Sequence, residues 1–531
     1  MNFAAEKPVS DKTIFKSVLL FLLFISLNML IFSQDSTISL AFKKNRPYKN
    51  NPYFYQPDLS YQILQQFKLV QLANSGDPLA QHELGLRLLT GDGIVADTVT
   101  AVYWIKKAAS QKLTAAMHNY GVMLINGWGT EWNPFTAYEY FLSAAEAGMS
   151  QAQYVVGILY TDNLIVRRDW NKSYYWIKKS VDGGYEPAKE VLIELSSKVS
   201  NEFKDSVAQN KFSYLSSKDF KDEEISNNIQ PSVGLVFIDF NSELDTIRGF
   251  NDDVLLNDLI RINNKSINDS LKASKDSTFF KNLSISDLNI LSKIAEGGSP
   301  EALTILGRLY QTGNSTGINL LLAAEYYIRA TILDSPRSAY LLWKLIRENE
   351  FYRILNDGIN TNNPTAQFVW YGLHKLGYDN RLTEPDAINL LKKSAEQNHL
   401  PAIIELGYNY YSGKYITQDK NKGIQLWNYA KDFGSIEANV RLAVSKVFDL
   451  NKSDDLSEEI KILQEADLKG SLLAQFALGY CYENGIGFRK SIPEAVKYYR
   501  EAAQRGNQFA YQQLKRLYDN LRPAVERFKV E

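Results

Sequence analysis

Four histidines and one cysteine are the scarcest chemically versatile side chains in this 531-residue sequence. His82 and His118 stand 36 residues apart. Two imidazoles brought side by side would be half of a zinc site, but no third histidine, cysteine or carboxylate shares their position. Packing or the lining of a groove is the expected role, and neither a metal site nor a cofactor is read. His374 occupies a position filled elsewhere by Tyr160, Tyr310, Tyr410, Tyr482 and Tyr518, so it reads as a core substitute. His399 falls in a loop with no partner visible in the sequence. Cys481, being alone, excludes an intrachain disulfide framework and a thiolate-rich metal site, and it lies in a helical pattern as a small buried thiol. The chain has no G-x-S-x-G elbow, no H-E-x-x-H, no G-x4-G-K-[ST] and no S-x-x-K. Its carboxylates scatter along helix faces expected to be solvated. The sequence is therefore read as non-enzymatic.

The elements that hold these residues follow a period. Ala80, Ala116, Ala152 and Ala188 are spaced by 36, as are Ala366, Ala402, Ala438, Ala474 and Ala510. Ala302 and Ala339 lie 37 apart, and Ala339 to Ala366 is only 27, so one loop is short or one unit incomplete. Five residues after these origins come Gly85, Gly121, Gly157, Gly307, Gly407 and Gly479. Eleven after come Gly91, Gly127, Gly313, Gly377, Gly413 and Gly485, and thirty-two after come Gly148, Gly184, Gly434, Gly470 and Gly506. Apolar residues between them fall at helical spacing, so each unit is a helix, a glycine stop, a second helix and another stop. Glycine within a helix costs about 1 kcal/mol against alanine, so its recurrence at the fifth position implies a demand for close packing. The run "KLVQLANSGDP" supplies an opening helix and "AYQQLKRLYDNLRP" a closing one.

The segment "AQFALGYCYENGIGFRKSIPEAVKYYREAAQRGNQFA" resembles a unit of the Sel-one-like repeat (SLR) family, relatives of the tetratricopeptide repeats. The pattern A-x3-L-G-x2-Y-x2-G-x-G, then A-x6-A-A-x2-G, is nearly complete here. It recurs in "AQHELGLRLLTGDGIVADTVTAVYWIKKAASQ" and in the unit at Ala116. Lys344 and Tyr371 depart from it at the glycine position, and the unit at Ala438 lacks the loop glycine. The resemblance implies an all-α chain, an α/α superhelical solenoid of helix-turn-helix units of about 36 residues, serving as an adaptor. Two arrays are expected, residues 61–195 and 287–525, separated by an irregular insertion at 196–286 where the phase is lost. That insertion holds either partly ordered structure or decayed repeats, with Ser232–Phe240 reading as a strand or buried segment.

Binding residues are sought on a second stripe of the first helices, opposite the core stripe. It carries His82, His118, Tyr154, Tyr408, Tyr411, Phe476 and Tyr480, which either touch the neighbouring repeat or line a groove. The loop "NGWGTEWN" adds Trp128 and Trp132, either as turn packing or as a stacking surface for a ligand. A net charge of −1 supplies no basic field for nucleic acid. Lys7, Lys12 and Lys16 precede a short apolar run, which reads as an export signal or, if uncleaved, a membrane anchor within residues 1–33. Residues 34–60 read as a polar tether. The sequence thus points to an exported scaffold for a protein or peptide partner at the cell envelope, periplasmic or secreted. An envelope glycan or peptidoglycan binder, or a cell-wall hydrolase with its site in the insertion, are the alternatives.

Overall fold

The computed structural model describes residues 66–91, 94–209, 259–260, 262, 283–449 and 455–530. The apolar N-terminal run, the tether and the Ser232–Phe240 segment lie outside them. The described residues form 23 α-helices and one short 3-10 turn, with no strand among them. They divide into two compact units, Met1–Gly234 with Lys515–Glu531, and Leu235–Leu514.

In the first unit the lone helix Gln66–Asn74 precedes three pairs, Pro78–Thr90 with Thr98–Ser110, Thr114–Asn126 with Pro134–Glu146, and Ser150–Leu159 with Trp170–Asp182. Ala188–Leu195 and Asn201–Ala208 follow, the latter an ordered helix in a stretch whose sequence has lost the repeat phase. The second unit opens with Ile285–Glu296 and runs through six pairs, from Pro300–Thr312 with Leu320–Ile332 to Leu472–Asn484 with Ile492–Gln504.

Local chemistry sets these boundaries. Asp97, Asn133, Asp169, Asn319, Thr383, Asp419 and Ser491 each cap a second helix by accepting a backbone N–H of its first turn. At the other end of the first helices, Gly91 and Gly485 adopt φ of 72° and 74°, a left-handed stop that glycine enters without steric cost. The register is uniform inside: Ala80, Ala116, Ala152, Ala188, Ala302, Ala366, Ala402, Ala438, Ala474 and Ala510 are each 0% exposed.

The glycine five residues on explains why the two helices of a pair lie so close. A Cβ at Gly85 would stand 2.4 Å from Ile105, at Gly121 2.8 Å from Phe141, at Gly157 2.6 Å from Ile177, at Gly307 2.5 Å from Tyr327 and at Gly479 2.8 Å from Tyr499. In every case the intruding side chain is twenty residues later, at one position of the second helix. The bulky residue sits in the dent that the missing side chain leaves.

The irregular spacing near Ala339 has a physical origin. The helix Pro336–Leu345 places Ser338, not Ala339, at the position of the origin alanines, with Ser338 at 0% exposure and hydrogen-bonded to Thr304. That unit is short because both of its helices, Pro336–Leu345 and Phe351–Asn360, have only 10 residues, whereas both helices of the preceding pair, Pro300–Thr312 and Leu320–Ile332, have 13. Where Tyr371 replaces the glycine this contact within the pair is absent, and the neighbouring Gly372 instead faces an earlier pair, its Cβ position 2.5 Å from Ile328 of Leu320–Ile332.

Gly121→Ala should reverse the usual helix preference. Alanine propensity alone predicts a gain of about 1 kcal/mol, but forcing a methyl against the buried Phe141 ring should turn this into a loss of about 1–3 kcal/mol in urea denaturation. Lys112 holds φ of 63° where other units place glycine. Lys112→Gly should raise stability by about 0.5 kcal/mol, the relief of left-handed strain less the added freedom of the unfolded chain.

Candidate functional site

In the second unit, charged side chains pair between repeats that are distant in sequence. Arg505 donates to both carboxylate oxygens of Glu301, at 3.1 and 2.7 Å, and to the Gly470 carbonyl. Leu472 N–H donates to the Gly298 carbonyl at 3.3 Å, and Gln508 N–H to the Asp334 carboxylate at 3.3 Å. Arg329 and Arg441 share Glu437 at 3.3 and 2.9 Å. Burial pushes the Glu437 carboxyl upward, but Arg441 and Arg329 outweigh it and hold the group below its ordinary range.

His399 of the same unit has partners that the sequence did not reveal. Its Nε2 lies 3.0 Å from Glu325 and its Nδ1 3.1 Å from Ser394 Oγ. A serine, an imidazole and a carboxylate in line are the parts of a nucleophilic relay. The arrangement is nonetheless structural. Ser394 is 0% exposed, and its hydroxyl donates to the Pro364 carbonyl at 2.8 Å, so its oxygen has no approach path for a substrate. The signal missed in the sequence is distance: Glu325 precedes His399 by 74 residues.

The residues singled out for binding fall into two groups. His82, His118 and Tyr154 are in the interior, at 0%, 0% and 3% exposure. His82 Nε2 hydrogen-bonds Asn119 at 2.8 Å, His118 lies against the Phe141 ring, and Tyr154 against Tyr185. Trp132 is 8% exposed, with its ring edge-to-face on Tyr518 at 5.1 Å. Trp128 is half-buried. Tyr408, Tyr411, Phe476 and Tyr480 are half-buried as well. Tyr408 has Lys375 at 5.6 Å from its ring and Arg441 at 5.7 Å, cations from the units on either side. Phe448 stacks on both Phe476 and Tyr480, at 6.0 and 4.2 Å, and Tyr411 leans on Trp427. Among the described residues no group of three metal-ligating side chains comes together. Cys481 is buried, and burial pushes its thiol up to about 12.

Tandem helix pairs locked by the same glycine contact define a repeat scaffold. Residues 78–113, 114–149, 150–185, 300–335, 370–399, 400–432 and 472–507 match the Sel1 repeat, and the chain belongs to the Sel1-like repeat family. It is similar to DAP3-binding cell death enhancer 1 of Mus musculus, 33% identical over 107 residues, which is 20% of this chain and 21% of that protein. It also resembles chitin synthase regulator SKT5 of Malassezia restricta, 30% identical over 152 residues, or 27% of this chain and 10% of that one. The chain thus spans about a fifth or less of the length of these relatives. Among solved structures, a protective antigen of uropathogenic Escherichia coli displaying an SLR fold is 20% identical, covering 87% of this chain and 84% of that one with a TM-score of 0.29. A Sel1 repeat protein from Oxalobacter formigenes is 33% identical over 24% of this chain and 96% of its own, with a TM-score of 0.23.

Burial first, and then the neighbouring His118, lowers the His82 imidazole to about 3. A depressed folded-state value means that the stabilisation is complete above the unfolded value of about 6.5 and is lost as pH falls toward 3. Between pH 7 and pH 5 the first unit should lose about 2 kcal/mol through this group, read from urea midpoints. His82→Gln should flatten that dependence. Iodoacetamide should leave Cys481 unmodified in the native chain and alkylate it in urea.

Proposed function

We propose that this chain is an exported, non-enzymatic scaffold of the cell envelope that holds a protein or peptide partner against its first helices. One observation carries the reading. Charged groups of the second unit are spent on one another, Arg505 on Glu301, Arg329 and Arg441 on Glu437, and His399 on Glu325. The aromatic set Tyr408, Tyr411, Phe476 and Tyr480 of the first helices is half-buried and stays partly accessible. Tyrosine and phenylalanine offer broad contact area at small entropic cost, and the cations beside Tyr408 add attraction for acidic or aromatic groups.

The relatives named for binding DAP3 and for regulating chitin synthase support an interaction role. Export rests on the basic residues Lys7, Lys12 and Lys16 ahead of the apolar run. The glycan-binding alternative has less support, because Trp132 is buried with Tyr518 packed against it.

Affinity capture from envelope extract tests the proposal. Wild type should retain a discrete protein partner that is lost at least about tenfold on Tyr408→Ala with Tyr480→Ala, the scale expected for truncating two aromatic anchors. Helical content by circular dichroism should be unchanged. Equal capture by the variant, or retention of the wild type on insoluble wall material alone, would refute it.

A further inference from the structure

The first unit contains a contact made beyond the last helix pair, by Tyr518 near the end of the closing helix Gln508–Asp519 and by Arg522 and Phe528 after it. After Leu514 the chain belongs to that unit, and it lies against the loop and helix that begin at Trp132. Tyr518 meets Trp132 edge-on at 5.1 Å and Phe135 at 6.4 Å. Phe528 meets Phe135 at 5.1 Å and Tyr138 at 5.8 Å. Between them Arg522 lies over the Phe135 ring at 5.2 Å. Its guanidinium donates to the Leu164 carbonyl at 2.8 Å, the Ile165 carbonyl at 3.4 Å and the Phe528 carbonyl at 2.7 Å, and pairs with Asp519 at 2.8 Å.

The pattern of burial is that of a bound peptide. Tyr518 and Phe528 are each 1% exposed, while the intervening Leu521 and Val525 stand 44% and 50% exposed. Buried aromatic anchors and an arginine are residue types that commonly carry binding energy at interfaces. The receiving surface matches them: an aromatic wall of Trp132, Phe135 and Tyr138, and two loop carbonyls, of Leu164 and Ile165, that accept from a cation. The segment reaches those carbonyls across 357 and 358 residues of sequence, so it arrives as a ligand would.

We propose that this cleft is a peptide-recognition site filled in cis by the chain's own C-terminal segment. Its ligands in trans then carry the same pattern: an aromatic residue, an arginine four positions on, and an aromatic residue six further. This rests on the scaffold reading and adds a partner class and a control to it. Because the segment continues directly from the helix Gln508–Asp519, it occupies the cleft intramolecularly, and a free peptide competes poorly until it is released. Apparent affinity falls by the fraction of sites that stand open.

The experiment uses the full chain and a fluorescent synthetic peptide of residues 515–530, followed by anisotropy. Arg522→Ala with Phe528→Ala should bind the peptide at least about tenfold more tightly than wild type, as expected when a competing tether is weakened. The same peptide bearing both substitutions should not bind. The inference is overturned if the folded variant binds no peptide, or if wild type binds it equally well. Loss of the first unit's helicity in the variant also overturns it, since the segment would then be an obligatory part of the fold. A partner captured through Tyr408 and Tyr480, together with a blank peptide titration, would remove this inference and leave the scaffold reading standing.

Discussion

One steric relation recurs through both units: in most first helices a glycine near the middle faces a bulky residue twenty positions later. The Cβ positions at Gly85, Gly121, Gly157, Gly307 and Gly479 come within 2.4–2.8 Å of Ile105, Phe141, Ile177, Tyr327 and Tyr499. The helices of a pair therefore meet nearly backbone to side chain, and the apolar area gained offsets the helix-interior cost of glycine. The fully buried alanines complete the fit by admitting the next pair. Because one pair alone leaves its outer apolar stripe uncovered, stability comes from stacking.

That close packing also decides where chemistry is possible. Side chains on the second stripe of the first helices are pulled into contact with neighbouring pairs, so His82 and His118 become interior groups with the solvent excluded. Ser394, His399 and Glu325 form a line of hydrogen bonds that resembles a catalytic relay in composition but is sealed by its own packing. Burial and geometry together, more than residue identity, separate such a line from a working site.

The helix pairs, their stops and the demand for glycine were legible because each leaves a local mark repeated at 36 residues. The position of Ser338 was not, since a serine in an alanine place breaks the pattern and Ala339 beside it imitates the expected residue. The partners of His399 and the seat of Tyr518, Arg522 and Phe528 were hidden for a different reason. Both join segments far apart in the chain, and periodicity records only near neighbours. Arg522 and Phe528 lie beyond the last repeat and carry no periodic mark, so nothing local singled them out.

The bond between Glu301 and Arg505 spans 204 residues and ties the first helix pair of the second unit to its last. Ordinary repeat arrays behave as one-dimensional chains that fray from their ends and tolerate gain or loss of a module. Here such a change would carry Arg505 away from its carboxylate and strand a buried guanidinium. The second unit is thereby held to a fixed copy number, and it should melt as a single cooperative body with no progressive shortening.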